Sequence, residues 1–398
     1  MKKNNLNDLI FDYFPPIPNK QWKQKIQYEL NGEDYQKKLV RHTVDNVSTL
    51  PYYTYNDVSF FYDYKKKESQ SCHIIHVNNE AEANLLAQSS TSSFIIFNLY
   101  SKEVLLDQLF DNLNTNKLLV HCFFLNLEFF NKIKNHNIPY TFNPINKLFK
   151  TGTWYRNEKW DFEQLFNSNC NNGIIDVSIF HNSGASPLQQ IAYAISHAQE
   201  LIKLNTKTNI NLIFYLVSVN TNVFEEIAKL RTIKILHSYF FNNIDCQIIL
   251  TKSKRNFINF DEALNQNIFN TEKLIAASAH VDFIENYQKR AEQSNMCSEA
   301  IYTEKLLQQY IDLSIPLIKN MNQKGILELF KSGIIQQKIK DHAYAELKKF
   351  ESTFEKNFSK FKTPINSVKL EKPSKEVQFE PLVERRLSEN LEKKYFDA

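Results

Sequence analysis

Short apolar, β-branched runs recur along the middle of the chain, at 72–77, 94–99, 118–125, 174–180, 210–219 and 244–250. Weaker runs stand at 139–142 and 281–285. Between them apolar residues return at three- and four-residue steps, which predicts helices over 79–88, 102–112, 126–134, 158–167, 186–204, 222–240 and 261–278. Strands alternating with helices imply a parallel sheet. Eight strands in about 215 residues fit the length of a (β/α)8 TIM barrel. An open doubly wound sheet is the alternative, but its glycine-rich first turn is absent.

The stretch 174–204 organises this pattern. An apolar run leads into the polar turn His181-Asn182-Ser183-Gly184, and Leu188, Ile191, Ile195, Ala198 and Ile202 then mark one helix face. Barrels of this kind carry their chemistry on such strand-to-helix turns. Flanking the barrel, residues 1–55 read as an extended N-terminal arm. Phe11, Tyr13, Phe14, Pro15, Pro16, Ile17 and Pro18 precede a short helix at 20–30 that ends on Asn31-Gly32. Its aromatics need burial, on the chain's own body or on a partner. Residues 56–362 hold the barrel and a C-terminal helical extension, with helices at 302–322 and 334–358 around a short piece between Gly325 and Gly333. Residues 363–398, with Pro364, Pro373 and Pro381, read as a polar tail or the start of a linker.

Composition narrows the function class. A net charge of +4 over 398 residues, with basic and acidic residues interleaved, does not describe a nucleic-acid binder. No run reaches the roughly 18 to 20 apolar residues of a membrane span. The N-terminus lacks the apolar core of a secretory signal, so a cytoplasmic protein is expected. Five isolated cysteines, at 72, 122, 170, 246 and 297, suggest reduced thiols. The six glycines form no phosphate-binding motif.

The candidate chemistry is sparse. His181, at a strand end, is the best-placed general acid or base, but no partner for it is visible. Cys72, His73 and His76 look like a metal set, yet a three-residue offset on a strand sends the two histidines to opposite faces. His121 and Cys122, adjacent on a strand, face apart for the same reason. Glu225-Glu226 sits in a first helical turn, where carboxylates favour the helix dipole. Lys252, Lys254 and Arg255 follow a strand end and could meet an anion, or form a solvated face.

Several stretches, in order, resemble the methylmalonyl-CoA mutase family, and specifically its small, non-catalytic (beta) subunit. They are Phe14-Pro15 with Trp22, then 30–35 with Lys38-Leu39, and Pro51-Tyr52-Tyr53-Thr54 against the family's P-x-Y-T. Residues 183–194 are similar to A-G-A-N-x-x-Q-Q-L-A-Y-A, and 224–231 to F-x-E-I-A-K-x-R. Weaker likenesses cover 301–306 and 325–328. The resemblance implies a barrel that, in the catalytic chain, threads coenzyme A's pantetheine along its axis beside a separate adenosylcobalamin domain. This sequence departs from the catalytic pattern. It contains no D-x-H-x-x-G and no R-Q-Y-A-G-F, and it ends where the linker to a cobalamin domain is expected to begin. Anchored on Gly184, the family's substrate-contacting histidine falls on Ile179, its arginine on His181 and its glutamate on Asn182.

The expected protein is therefore a heterodimer's small subunit. It has no catalytic, cofactor or metal residues of its own, and adenosylcobalamin and the chemistry sit on a large catalytic partner. Residual acyl-CoA binding stays open. Two rivals are a free acyl-CoA-binding or regulatory barrel, which needs an open axial channel, and an independent enzyme using His181.

Overall fold

The computed structural model describes residues 17–43, 45–59, 68–204, 210–259, 261–287, 300–358 and 377–396. The chain divides into two units, Met1–Phe61 and Tyr62–Ala398. In the first, helix Asn19–Glu29 has no buried residue and ends where Asn31 and Gly32 take positive φ. A turn of helix, Tyr35–Leu39, follows, capped by the Asp34 carboxylate on the Lys37 amide at 2.8 Å. A two-residue antiparallel hairpin pairs Arg41–His42 with Ser48–Thr49. Trp22 meets Tyr52 edge to face. The aromatics at 11, 13 and 14 lie outside the described residues.

The second unit is a TIM barrel. Its strands are β1 (Gln70–Val77), β2 (Phe94–Leu99), β3 (Leu118–Cys122), β4 (Tyr140–Thr141), β5 (Asn172–Asp176), β6 (Leu212–Val217), β7 (Asp245–Leu250) and β8 (Phe283–Glu285). All paired neighbours are parallel, and the spatial order β4-β3-β2-β1-β8-β7-β6-β5 curls the sheet until β4 and β5 meet. No ladder joins those two. Side chains bridge the seam instead: Asn143 and Asn146 donate to the Ile174 carbonyl at 2.7 and 3.1 Å, and Asn146 accepts from the Asp176 amide at 3.1 Å.

Helices start where asparagine or aspartate caps a free amide. Asn79, Asn126, Asn157 and Asp261 do so at 2.8 to 3.0 Å. Asparagine also replaces glycine at turns. Among the described residues, six of the seven non-glycine positions with positive φ are Asn, a side chain that tolerates the left-handed region. That is how the fold manages with so few glycines.

The structure differs from the expected elements in four places. The apolar run 174–180 is not one strand; β5 stops at Asp176 and a short helix, Ser178–Ser183, follows. Helix 102–112 shrinks to Leu106–Leu109. An unexpected helix, Pro144–Thr151, buries Ile145, Leu148 and Phe149; it is capped by Asn143 and ended by left-handed Gly152. Finally, residues 377–396 are not a loose polar tail. Leu382, Leu387 and Leu391 are buried, and the segment ends in helix Glu389–Phe396. Residues 359–376 lie outside the described residues. Beyond the barrel, helix Ile301–Asn322 packs on Pro187–Leu204 and Val223–Phe240. There Arg231 and Glu304 form a buried ion pair at 3.3 Å.

Candidate functional site

Strand register decides which side chains enter the barrel. Residues paired across a ladder point to the same face, so Cys72 goes with Phe94, Ile74 with Ile96, Ile96 with Leu119, Ile174 with Phe214, and Leu216 with Ile249. Phe94 stacks on Phe214 with ring centroids 6.4 Å apart. Their strands, β2 and β6, are not neighbours, so this contact crosses the lumen. Phe283 stacks on Phe94 at 4.5 Å. Cys72, Ile96, Leu119, Ile174, Phe214, Ile249 and Phe283, one from each of seven strands, form a single buried cluster. The axis is filled by three phenylalanine rings and branched aliphatics.

Above that plug the inward positions turn polar. His76, Asn98 and His121 share one register level on β1, β2 and β3, with Thr141 beside His121 on β4. His76 bonds the Tyr100 hydroxyl at 2.6 Å and His121 bonds Thr141 at 3.1 Å. Across the mouth, Asp176 on β5 accepts from Ser178 at 2.5 Å, and Glu285 on β8 accepts from the Lys252 amide at 3.5 Å. Burial pushes His121 down to about 4 and raises both Asp176 and Glu285. This is the end of the barrel where ligands of such folds bind. By strand alternation His73 and His76 are expected on opposite faces, and so are His121 and Cys122. That divergence holds for His121 and Cys122, whose register sends them to opposite faces. Residues at the same level on different strands, such as His76 and His121, face the same side instead.

His181 lies elsewhere, in the short helix Ser178–Ser183, and is 2% exposed. Its surroundings fix its state. Lys229 can only donate, and its Nζ sits 2.9 Å from Gln190 Oε1 and 3.0 Å from the Ser218 carbonyl. The Gln190 amide nitrogen therefore faces the Ala185 carbonyl at 2.8 Å and His181 Nδ1 at 3.5 Å. Nδ1 is left as the acceptor and Nε2–H donates to Ser253 Oγ at 2.9 Å. Burial first, and then the Lys229 and Arg255 charges, push His181 well below the usual histidine range. The imidazole is buried, with a partner at each nitrogen. His181 is a structural node.

The same node absorbs other candidates. Glu226 is buried and ion-paired with Lys229, while burial raises its carboxyl. It does more than favour a helix dipole. Glu272, pushed up to about 8 by burial, accepts from the Ser253 amide at 3.2 Å and Asn256 at 3.1 Å. Lys254 pairs with Glu384 at 2.7 Å and Arg255 with Glu346 at 2.6 Å, so two of this basic trio are already paired. Lys252 extends over the Phe257 ring at 5.1 Å. Ile179, at the position matching the family's histidine, is 2% exposed. Cys72, Cys122, Cys170 and Cys246 are free thiols; Cys297 lies outside the described residues. Among the described residues no group of histidines, cysteines and carboxylates is arranged to hold a metal. None of the described helices is long and apolar enough to cross a membrane.

No protein-family model and no curated protein matches the sequence. Among solved structures, the chain is similar to diaminopimelate decarboxylase from Helicobacter pylori complexed with L-lysine, at TM-score 0.33 and 10% identity, covering 56% of this chain and 57% of that one. It is also similar to dihydropteroate synthase from Thermus thermophilus in complex with 4-aminobenzoate, at TM-score 0.33 and 6% identity, covering 63% of this chain and 95% of that one. The match thus spans little more than half of the decarboxylase. Likenesses this loose carry nothing about activity, and the barrel is established by its own strand order.

Proposed function

We propose that this chain is the small subunit of a heterodimeric, adenosylcobalamin-dependent methylmalonyl-CoA mutase. In this reading it is a cytoplasmic barrel without chemistry of its own that stabilises a large catalytic partner. The ordered sequence resemblance suggests the family, and the filled lumen is the observation that carries the non-catalytic assignment. A chain that threads pantetheine along its axis needs a channel. Here Phe94, Phe214 and Phe283 stack across that axis. At the position matching the family's imidazole stands buried Ile179, which offers no hydrogen bond to a developing charge.

The cofactor belongs to the partner in this reading. The sequence lacks D-x-H-x-x-G, and His121, His181 and His197 are buried inside the barrel's own packing. A free acyl-CoA-binding or regulatory barrel is the second reading, and the same plug weighs against it. The test is co-expression of the tagged full chain with a large mutase subunit that carries an intact D-x-H-x-x-G. The expected result is a one-to-one complex and a higher yield or activity of the large subunit. A large subunit that neither co-purifies nor changes in yield or activity sinks the proposal.

A further inference from the structure

Residues 377–396 cross the C-terminal rim as an extended strap followed by one helix. Their backbone donates to three separate segments: Phe379 to the Gly152 carbonyl at 2.9 Å, Leu382 to Phe149 at 2.8 Å, Arg385 to Asn182 at 2.9 Å, and Leu387 to Arg255 at 2.9 Å. These acceptors follow β4, β5 and β7. Side chains join this backbone pairing: Lys340 Nζ meets the Glu380 carboxylate at 2.5 Å, and Asn259 donates to Glu392 from its main-chain amide at 3.2 Å and from Nδ2 at 3.1 Å. The Glu384 carboxylate accepts from Lys254 Nζ at 2.7 Å and from Asn182 Nδ2 at 3.2 Å. Leu382, two residues before it, and Leu387, three after, are both buried. The rim is shaped for this backbone: a Cβ on Gly152, which has φ +72°, would overlap the Phe379 carbonyl. Within the strap, Glu392 also takes Arg386 at 2.5 Å and Ser388 at 2.5 Å.

Main-chain hydrogen bonds plus pockets for alternate side chains are how proteins hold extended peptides. We propose that the rim after β4, β5 and β7 is a peptide-docking groove and that residues 377–396 are its resident ligand, a latch occupying it in cis. The partner it fits is an extended polypeptide segment with a glutamate set between two leucine-sized residues, which must displace the latch to bind. Apparent affinity in trans is then the intrinsic affinity reduced by the fraction of chains whose latch is open. A strap that lies outside the parallel ladder opens locally, at lower free energy than the ladder itself. This inference uses no mutase partner, so it stands or falls apart from the proposed function.

The probe is a fluorescent synthetic peptide of residues 377–396. It is titrated into the full chain and into a full chain carrying Leu382→Ser and Leu387→Ser, which loosens the latch and leaves the groove intact. The loosened chain is expected to bind at least about tenfold more tightly than the unaltered chain. A peptide carrying Glu384→Lys should lose most of that binding. Equal weak binding by both chains, or binding indifferent to Glu384, overturns the proposal. Hydrogen exchange on the unaltered chain decides independently, even if the loosened variant does not fold. The amides of Phe379, Leu382, Arg385 and Leu387 should exchange as a group, faster than those of β6 and β7. Exchange at the rate of those strands makes the strap part of the cooperative barrel and overturns the latch.

Discussion

The barrel axis and the rim beneath residues 377–396 are both sealed, by opposite means. The axis is closed with phenylalanine, isoleucine and leucine, groups that gain simply by leaving water. The rim is closed with charge: Glu226 with Lys229, Arg255 with Glu346, Lys254 with Glu384, and the Gln190–His181–Ser253 chain between them. An apolar seal tolerates any filling of the right volume. A polar seal depends on every partner being present, because an orphaned buried group bears its full desolvation cost. Both interiors are filled, but only the rim depends on each partner being in place.

That contrast is broken most forcefully at the lumen. Phe214→Ala should destabilise the chain by about 3–5 kcal/mol in denaturant unfolding, through lost burial and the cavity left between β2 and β6. A loss below about 1 kcal/mol would mean the lumen is loosely filled. At the rim, Lys229→Met strands the Glu226 carboxylate and should cost a similar ~3–5 kcal/mol. Adding Glu226→Gln to Lys229→Met should restore much of it, since the orphaned charge is gone. The axis allows no such rescue by a second deletion. If the double variant is no better than the single one, charge pairing is not what closes the rim.

His181→Ala removes one link and leaves Gln190 and Ser253 short of a partner, at about 1–3 kcal/mol. Turnover of the assembled complex should not change beyond that loss of stability. Abolished turnover in a folded complex would make His181 catalytic after all. A further effect is in the pH profile. Glu272 titrates at about 8 in the fold against 4.5 in its ordinary state, so between those values the folded chain holds the extra proton. Its contribution is complete below about pH 4.5 and is lost as the pH rises toward 8. The depressed His181 acts with the opposite sign, its contribution fading as the pH falls below the usual 6.5. Thermal melts of Glu272→Gln should therefore lose the decline on the alkaline side and keep the acid limb. An unchanged alkaline decline would place its origin elsewhere.

Most of the barrel was legible in the sequence, because strands buried on both faces are written as continuous Ile, Val and Phe runs. The same signal misled at 174–180. Val177, Ile179 and Phe180 are as apolar as β5 itself, but Ile179 and Phe180 are buried in a short helix ended by left-handed Gly184, with Val177 just ahead of it. Helix Pro144–Thr151 had its signals in plain view, an Asn cap, a proline at the start and a glycine at the end. The polar node could not be read off at all. Its His181–Ser253 bond joins residues 72 positions apart, and no local pattern reports such a meeting. The strap was hidden by composition, since three buried leucines are thinly spread among charged residues that prove to be paired.

Above all, three phenylalanine rings lie on the axis along which the proposed family's catalytic chain threads its substrate. Titration calorimetry of the full chain, without any partner, against methylmalonyl-CoA and coenzyme A tests this directly. No heat beyond dilution is expected, because Phe94, Phe214 and Phe283 occupy the axis. Saturable one-to-one binding that Phe214→Trp abolishes would show instead that the lumen still admits the thioester.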